Sequence, residues 1–222
     1  MAVRSESSRR AILDATMDLL VRDGRRAITV QKLTMEAIAK RAKVSKATIY
    51  RWWPSKAAVV IDAFMENHLA HTRIPEGVPV RDALLAHLKA LITHYAGPQG
   101  KLVAQIIAEG QYDPETMANF RERFWQERAA AVEKLMRQGI DEGVFRPDLA
   151  PSAAAQLFYA PVYFHLLFGD SPLDDALAEQ LVDLGIRDLA AHSDQDGTAR
   201  VLSIPTQAGP VVGPLALPTD DL

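Results

Sequence analysis

The sequence predicts an all-α protein of about nine helices, and three observations support this fold class. Apolar residues recur at the i, i+3, i+4, i+7 spacing of helices that pack on a core. Proline and glycine residues separate these stretches from one another. No stretch shows the sustained two-residue alternation of a β-strand. The 222 residues are 48% hydrophobic and 24% charged, which is typical of a globular protein.

The first predicted helix begins near Ser7 or Ser8 and ends at Asp23-Gly24, where glycine suits a helix C-terminus. Its apolar stripe is Ile12, Ala15, Thr16, Leu19 and Leu20. The segment 25–33 follows, in which apolar residues alternate only loosely. We interpret this segment as a small insertion that packs against the first helix or forms a short extended piece.

The second and third helices form a helix-turn-helix over residues 34–53. Thr34 is placed to cap the second helix, because a threonine hydroxyl accepts hydrogen bonds from the first free backbone N–H groups. Lys43 begins the turn and Ser45 caps the third helix. That helix, Lys46–Trp53, is short and ends before Pro54, since the residue before proline disfavours helical geometry.

Further helices follow a fourth one, which runs from its cap at Ser55 to about His71. Two prolines and a glycine in 75–79 mark the clearest boundary. The later helices are predicted at Val80–Tyr95, Lys101–Gln111, Asp113 to about Gly139 or Glu142, Ser152–Phe168 and Leu173–Ala191. We therefore predict an amino-terminal domain with the helix-turn-helix at 7–72, a second helical domain at 73–191, and a disordered Pro/Gly-rich tail at 192–222.

Charge is distributed unevenly along the chain. Residues 1–60 carry a net charge of +8 and residues 61–222 a net charge of −11, within a total of −3. A basic amino-terminal third suits contact with phosphate. The chain lacks cysteine, has no apolar run of about 20 residues and has a polar start, so we expect a cytoplasmic protein that does not enter a membrane.

Chemistry-bearing motifs are sparse in this sequence. It contains no glycine-rich phosphate loop, no G-x-S-x-G and no H-E-x-x-H. The six histidines do not form a set of three or four metal ligands. We therefore predict no catalytic residues, no metal and no cofactor.

The helix-turn-helix carries a specific resemblance. Its order T-x-x-x-I-A-x-x-A-x-V-S-x-x-T-I-Y-x-W-W-x-x-K resembles the DNA-binding signature of the tetracycline-repressor (TetR) family, and residues 50–56 are similar to one subgroup. Two features depart from the family pattern. Lys43 stands where the family usually has glycine, and Gly24 lies ten positions before Thr34. The resemblance extends to about residues 7–191 and implies a dimeric regulator of transcription.

The third helix is short and rich in hydroxyl, aromatic and basic side chains, which suits the DNA major groove. Lys46 and Ala47 are placed to meet base edges. Thr48, Tyr50, Trp52 and Lys56 are expected on the DNA backbone, and Arg51 on phosphate or in solvent. The full predicted DNA-binding set is Thr34, Lys43, Ser45, Lys46, Ala47, Thr48, Tyr50, Arg51, Trp52 and Lys56. The alternative for Tyr50 and Trp52 is a place in the core, which Trp53 suits better.

The resemblance also implies an inducer pocket in the second domain. The predicted lining is His94, Tyr95, Phe124, Trp125, Gln156, Tyr159 and Tyr163, and it favours a large hydrophobic or cationic aromatic compound. The alternative is that these aromatic residues belong to the core, and that the histidines are hydrogen-bonded structural residues.

The expected function is that of a homodimeric repressor that leaves a palindromic operator when a small apolar effector binds. Ser152–Phe168 and Leu173–Ala191 are predicted to form a four-helix interface with their symmetry mates, unless both are buried within one subunit. The alternatives are an activator, a ligand-independent regulator, or an all-helical enzyme or carrier of apolar molecules.

Overall fold

The structure is a computed structural model that describes residues 2–22 and 27–190, with side chains from residues 6–21 and 27–190. Nine helices follow one another in these ranges, and two of them contain a π-helical turn. They are α1 (Ala2–Met17, continued by the π turn Asp18–Arg22), α2 (Met35–Ala42), α3 (Lys46–Tyr50), α4 (Lys56–His71), α5 (Val80–Ala96), α6 (Pro98–Tyr112), α7 (Pro114–Phe120, the π turn Arg121–Trp125 and Gln126–Asp141), α8 (Pro151–Phe168) and α9 (Asp175–Leu189).

The described residues form no strand and only one isolated β-bridge, between Phe145 and Ala190, so the all-α prediction is confirmed. Among these residues, no helix has both the length and the apolarity that crossing a membrane requires. The predicted glycine cap at Gly24, the first part of the segment 25–33 and the tail at 192–222 lie outside the described residues.

The amino-terminal helices pack around a small apolar core. α1 lies against α2 and α4, and α2 lies against α3. Ile12, Ile38 and Ile49 are fully buried, one each from α1, α2 and α3. Trp53, which follows α3, is also buried, as its sequence position predicts. This core holds α3 in place while its other side faces outward.

The helices α5 to α9 form the larger core. α5 packs against α6, α7 and α9, while α8 packs against α7. The contact of α8 with α9 depends on Gly185, because a Cβ added there would lie 2.3 Å from Cε1 of Phe158. Any larger residue at position 185 would force Phe158 or the helix to move.

Several predicted helix boundaries were wrong. α1 begins at Ala2 instead of Ser7 or Ser8. α6 begins at Pro98 instead of Lys101, because proline is well suited to the first turn of a helix, where its missing N–H is not needed. The last helix begins at Asp175, and the carboxylate of Asp174 accepts a hydrogen bond from the N–H of Leu177.

Besides the packing of α4, hydrogen bonds at two places help to join the amino-terminal helices to the rest of the unit formed by residues 1–191. In the first, Asp62 on α4 accepts a hydrogen bond from Nε1 of Trp53 at 2.7 Å, and Arg123 donates to both of its carboxylate oxygens at 3.1 and 3.2 Å. In the second, the N–H of Val30 donates to Oε1 of Gln105 on α6 at 2.9 Å. The segment between α1 and α2 therefore contacts the second group of helices directly.

Candidate DNA-binding surface and ligand cavity

The local sequence holds α2, α3 and α4 through hydroxyl caps. Thr34, Ser45 and Ser55 each accept a hydrogen bond from the backbone N–H three residues later, at 3.2, 3.1 and 3.2 Å. Such side-chain caps satisfy N–H groups that have no partner within the helix. All three predicted caps are confirmed by this geometry.

The turn between α2 and α3 has an unusual backbone at Lys43. This residue adopts φ 56° and ψ 41°, the left-handed region that favours glycine. Its N–H still closes the end of α2 by donating to the carbonyl of Lys40. The lysine therefore takes the conformation that the glycine of the family pattern would take, with the added strain of a Cβ.

Most of the residues predicted to bind DNA are exposed. The exposed members are Thr34, Lys43, Ser45, Lys46, Ala47, Tyr50, Arg51 and Trp52, while Thr48 and Lys56 are half-buried. Tyr50 is 53% exposed and Trp52 is 36% exposed, although Ile49 and Trp53 on the same short segment are buried. The core alternative for Tyr50 and Trp52 therefore does not hold.

Two of the lysines predicted to contact DNA have partners within the protein. The ammonium of Lys46 forms an ion pair with Glu36 on α2, and this hydrogen bond lowers the pKa of the Glu36 carboxyl. The ammonium of Lys56 donates to the carbonyl of Val30 at 2.9 Å and lies 4.0 Å from a carboxylate oxygen of Glu109. Lys56 thus supports the segment before α2, instead of projecting outward as its sequence position suggested.

A cavity of about 380 Å³ lies among α4, α5, α7 and α8. Most of its wall is apolar or aromatic. The lining residues are His68, His87, Leu91, Phe124, Trp125, Arg128, Ala129, Val132, Glu133, Ser152, Ala155, Gln156, Tyr159, Ala160 and Tyr163. Cavities of this kind between helices are common sites for small molecules.

Five of the seven residues predicted to line a pocket do so: Phe124, Trp125, Gln156, Tyr159 and Tyr163. His94 and Tyr95 lie behind the wall. Tyr95 is buried, and its hydroxyl lies 3.3 Å from that of Tyr163. His94 stacks on His71, with ring centroids 5.1 Å apart. Their predicted place in the lining was therefore wrong, because a same-face pattern along α5 does not show where helices separate.

One chain of hydrogen bonds crosses the polar end of the cavity. Nη2 of Arg128 donates to the carbonyl of Thr72 at 3.1 Å and to Nε2 of His87 at 2.9 Å. Nδ1 of His87 lies 2.6 Å from the hydroxyl of Tyr159. These hydrogen bonds thus connect α7 to Thr72, the residue that caps the end of α4, then to α5 and to α8.

The buried histidines near this chain are neutral at physiological pH. Burial, with a smaller contribution from Arg128, lowers the pKa of His68 to about 2 and that of His87 to about 3. Burial also lowers the pKa of His94 to about 4, with His71 contributing. The positive charge at this end of the cavity therefore belongs to Arg128 and not to the imidazoles.

Known protein families match the parts of the chain that carry the DNA-binding surface and the cavity. The family described as bacterial regulatory proteins, tetR family, matches residues 12–63, and the tetracyclin repressor-like C-terminal domain matches residues 74–184. An uncharacterized HTH-type transcriptional regulator of Bacillus subtilis (strain 168), YdeS, is 35% identical over 86% of this chain and 93% of its own length. The chain belongs to the TetR family. It is a DNA-binding transcriptional regulator.

Other relatives of this TetR-family regulator carry similar names. The HTH-type transcriptional regulator UidR of Escherichia coli (strain K12) is 26% identical over 84% of this chain and 93% of its own length. Among solved structures, the TetR family transcription regulator SCO0332 is 30% identical, covers 82% of this chain and 98% of its own, and has a TM-score of 0.72. GusR of Salmonella enterica is 25% identical, covers 82% and 95% of the two chains, and has a TM-score of 0.63.

Sequence reasoning about this TetR-family regulator missed five polar residues of the cavity: His68, His87, Arg128, Glu133 and Ser152. His87 occupies the same face of α5 as Leu84 and Leu91, and a histidine within an apolar stripe is a usable signal for a buried polar group. Arg128 gave no comparable signal. It lies in a polar stretch of α7 between Glu127 and Ala129, and only the packing of α7 against α4 and α5 brings it inside.

Proposed function

We propose that this TetR-family regulator is a homodimeric repressor that binds a palindromic operator through α2 and α3 and leaves it when a small apolar molecule occupies the cavity. The observation that carries the proposal is the exposure of Tyr50 and Trp52 beside the buried Ile49 and Trp53. Large aromatic side chains held outward by a fixed helix are well placed to contact DNA.

The proposed contacts follow the geometry of helix-turn-helix proteins, in which the start of the second helix meets base edges. Lys46 and Ala47 begin α3, so they are the proposed base contacts. Thr48, Tyr50 and Trp52 are the proposed backbone contacts, with Thr34, Lys43, Ser45 and Arg51 around them. Lys46 must exchange its ion pair with Glu36 for a DNA group, and Lys56 is proposed only as a support.

An exposed apolar surface supports the dimer. Leu157, Phe164 and Phe168 on α8 are 58%, 52% and 72% exposed, and Leu184 on α9 is 43% exposed. Neighbouring apolar side chains of this size favour burial against another surface. Two copies meeting here would form a four-helix interface and present two α3 helices to half-sites about 34–36 Å apart.

Light scattering tests the dimer. The double substitution Leu157→Lys and Phe164→Lys is expected to convert the dimer to a monomer. At micromolar concentration the measured mass should fall to that of one chain, 24.4 kDa. Tyr112→Lys is the matched control, because Tyr112 is 92% exposed on α6, away from this surface. A wild-type protein of monomeric mass would contradict the dimer.

A gel shift with DNA from upstream of the protein's own gene, repeated over a range of salt concentrations, tests operator binding. Tyr50→Ala should weaken it by about 10²–10⁴-fold, since one hydrogen bond to a charged phosphate is removed from each of two subunits. The circular dichroism and mass of this variant should stay unchanged. Unaltered operator affinity would remove α3 from the proposed interface.

The cavity supports the ligand-responsive part of the proposal. Release requires the effector to bind more tightly to a form whose α3 helices are wrongly spaced for DNA. Because α4 contributes Lys56 at its start and Asp62 near its middle, and reaches the cavity through His68, its position is the proposed link. A regulator that responds to no ligand would instead show a gel shift that ligands do not change. A carrier that binds no DNA would show no gel shift. Since DNA is its partner, we propose a cytoplasmic location.

A further inference from the structure

Arg128 is the one cation among the described residues that line the cavity. Its guanidinium is half-buried, and no ion pair joins it to a carboxylate in the part of the chain that the structure describes. Both of its hydrogen bonds use Nη2, so Nε and Nη1 have no protein partner among these residues. A buried charge without a counter-charge is costly, and an anion entering the cavity would reduce that cost.

Neighbouring charges do not offset Arg128. Glu133 is the only carboxylate among the described lining residues, and Arg137, one turn further along α7, forms an ion pair with it at 3.6 Å. His68 and His87 are neutral because burial lowers the pKa of each to about 2 and about 3. The polar end of the cavity therefore has a net positive charge.

A neutral hydroxyl beside Arg128 is placed to donate to a ligand. Since Nε2 of His87 accepts a hydrogen bond from Arg128, the proton of this imidazole is on Nδ1 and is donated to the hydroxyl of Tyr159. The hydrogen of the Tyr159 hydroxyl is then available to a ligand, and burial raises the pKa of that hydroxyl, which keeps it protonated. Nδ1 of His68, a buried lining residue, has no hydrogen-bond partner among the described residues.

We propose that the cavity binds an apolar molecule that carries a carboxylate or a similar anionic group, which pairs with Arg128 and accepts a hydrogen bond from Tyr159. The apolar part lies against Phe124, Trp125 and Val132. The role of this molecule as an effector rests on the proposed function, whereas its binding does not. The charge of Arg128 argues against the cationic compound that the aromatic residues alone suggested.

The position of Arg128 also connects anion binding to α4. Its Nη2 donates to the carbonyl of Thr72, the residue that ends α4. An anion that draws the guanidinium into the cavity competes with this carbonyl. The end of α4 then gives up a hydrogen bond. Asp62, near the middle of α4, carries the contact to Trp53, and Lys56 at the other end carries the contacts to residues 30–31.

A displacement assay with three ligands of equal chain length tests the proposal. The neutral fluorescent dye N-phenyl-1-naphthylamine reports on the cavity, and decanoate, decan-1-ol and decylammonium compete with it. Decanoate should bind about 10–100-fold more tightly than decan-1-ol, because an ionised group adds a charge-assisted hydrogen bond. Decylammonium should bind most weakly. Calorimetry with decanoate measures the same affinity without the dye.

Arg128→Met should remove the preference for decanoate while leaving the affinity for decan-1-ol unchanged. Arg128→Lys keeps the charge and should recover part of the preference, and dye binding verifies that both variants are folded. Arg81→Met is the matched control, since Arg81 pairs with Asp183 on the exterior of α5 and α9.

The outcomes separate this inference from the proposed function. Equal affinity for the three ligands, a decanoate preference that survives in Arg128→Met, or no decanoate binding by calorimetry would overturn the anion site. A preference that depends on Arg128, together with an operator affinity that decanoate does not change, would support the anion site and contradict ligand-induced release.

Discussion

The DNA-binding surface comes from one stretch of chain, residues 34–56, whereas the lining of the cavity comes from residues between 68 and 163 on four helices. The first region is held by local hydrogen bonds, such as the three caps that each join residues three positions apart. The second is held by bonds between distant residues, such as His87 with Tyr159, 72 positions apart.

This difference has a physical consequence for the two regions. The caps of the DNA-binding surface depend only on neighbouring residues, although the core that includes Ile12 also holds α3 in place. A cavity fixed by long-range contacts depends on the placement of every helix around it. Asp62 belongs to neither region but joins them, through Trp53 on one side and Arg123 on the other. The following changes test the comparison, from the largest expected effect to the smallest.

Among the substitutions, the largest loss is expected for Asp62→Ala. It leaves the buried Nε1 of Trp53 and the half-buried guanidinium of Arg123 without their acceptor, which should lower the free energy of unfolding by about 2–3 kcal/mol in urea denaturation. Asp62→Asn keeps one acceptor oxygen for Trp53 and should lose less. If both variants lose the same free energy of unfolding, the hydrogen bond from Trp53 contributes little and the interaction with Arg123 accounts for the loss.

Acidification should weaken the cavity region through its histidines. The pKa values of His68 and His87 are lower in the folded protein than the value of about 6.5 in the unfolded chain. Their contribution to the free energy of unfolding is therefore complete above about pH 6.5. It falls at lower pH, because protons bind these histidines in the unfolded chain and stabilise it. Between pH 7.5 and pH 5 each should cost about 2 kcal/mol of stability. His68→Phe should reduce this pH dependence, as measured by urea denaturation at both pH values. An unchanged pH dependence would exclude His68 as its source.

A gain is expected for Lys43→Gly in the turn of the DNA-binding surface. Glycine adopts the φ of 56° without the steric cost of a Cβ, and after its own entropic cost the net gain should be about 0.5–1 kcal/mol. Lys43→Ala is the matched control, because it removes the same charge but keeps the Cβ. Both variants should lose equal operator affinity, and only the glycine variant should gain stability in thermal unfolding. Equal stability of the two would show that this backbone is not strained.

The smallest effect on DNA binding is expected for Lys56→Met. Its ammonium contacts Val30 and Glu109, so the slope of log K against log salt should not change. Lys43→Ala should make that slope shallower by about 1 for each phosphate that the lysine neutralises in the wild-type complex. A shallower slope for Lys56→Met would restore the phosphate contact that the sequence alone suggests.

How much the sequence predicts follows the same division between local and distant contacts. Thr34, Ser45, Ser55 and Asp113 were each placed correctly at the start of a helix, because a cap needs only the next few residues. Periodicity likewise predicted the fold class, and Trp53 was correctly preferred to Tyr50 and Trp52 as a core residue. The start of α6 was missed because Pro98 suits both a break and the first turn of a helix, and local patterns do not separate the two.

By itself, the sequence determined the all-α class, the family, the helix-turn-helix and the place of Lys43 in its turn, since these depend on neighbouring residues. Only the tertiary structure decided that Lys56 supports Val30, that His94 and Tyr95 lie behind the cavity wall, and that Arg128 lies inside it. Each of these depends on the distance between helices far apart in the chain. That distance is set by the packing of many side chains at once, and no single stretch of sequence contains it.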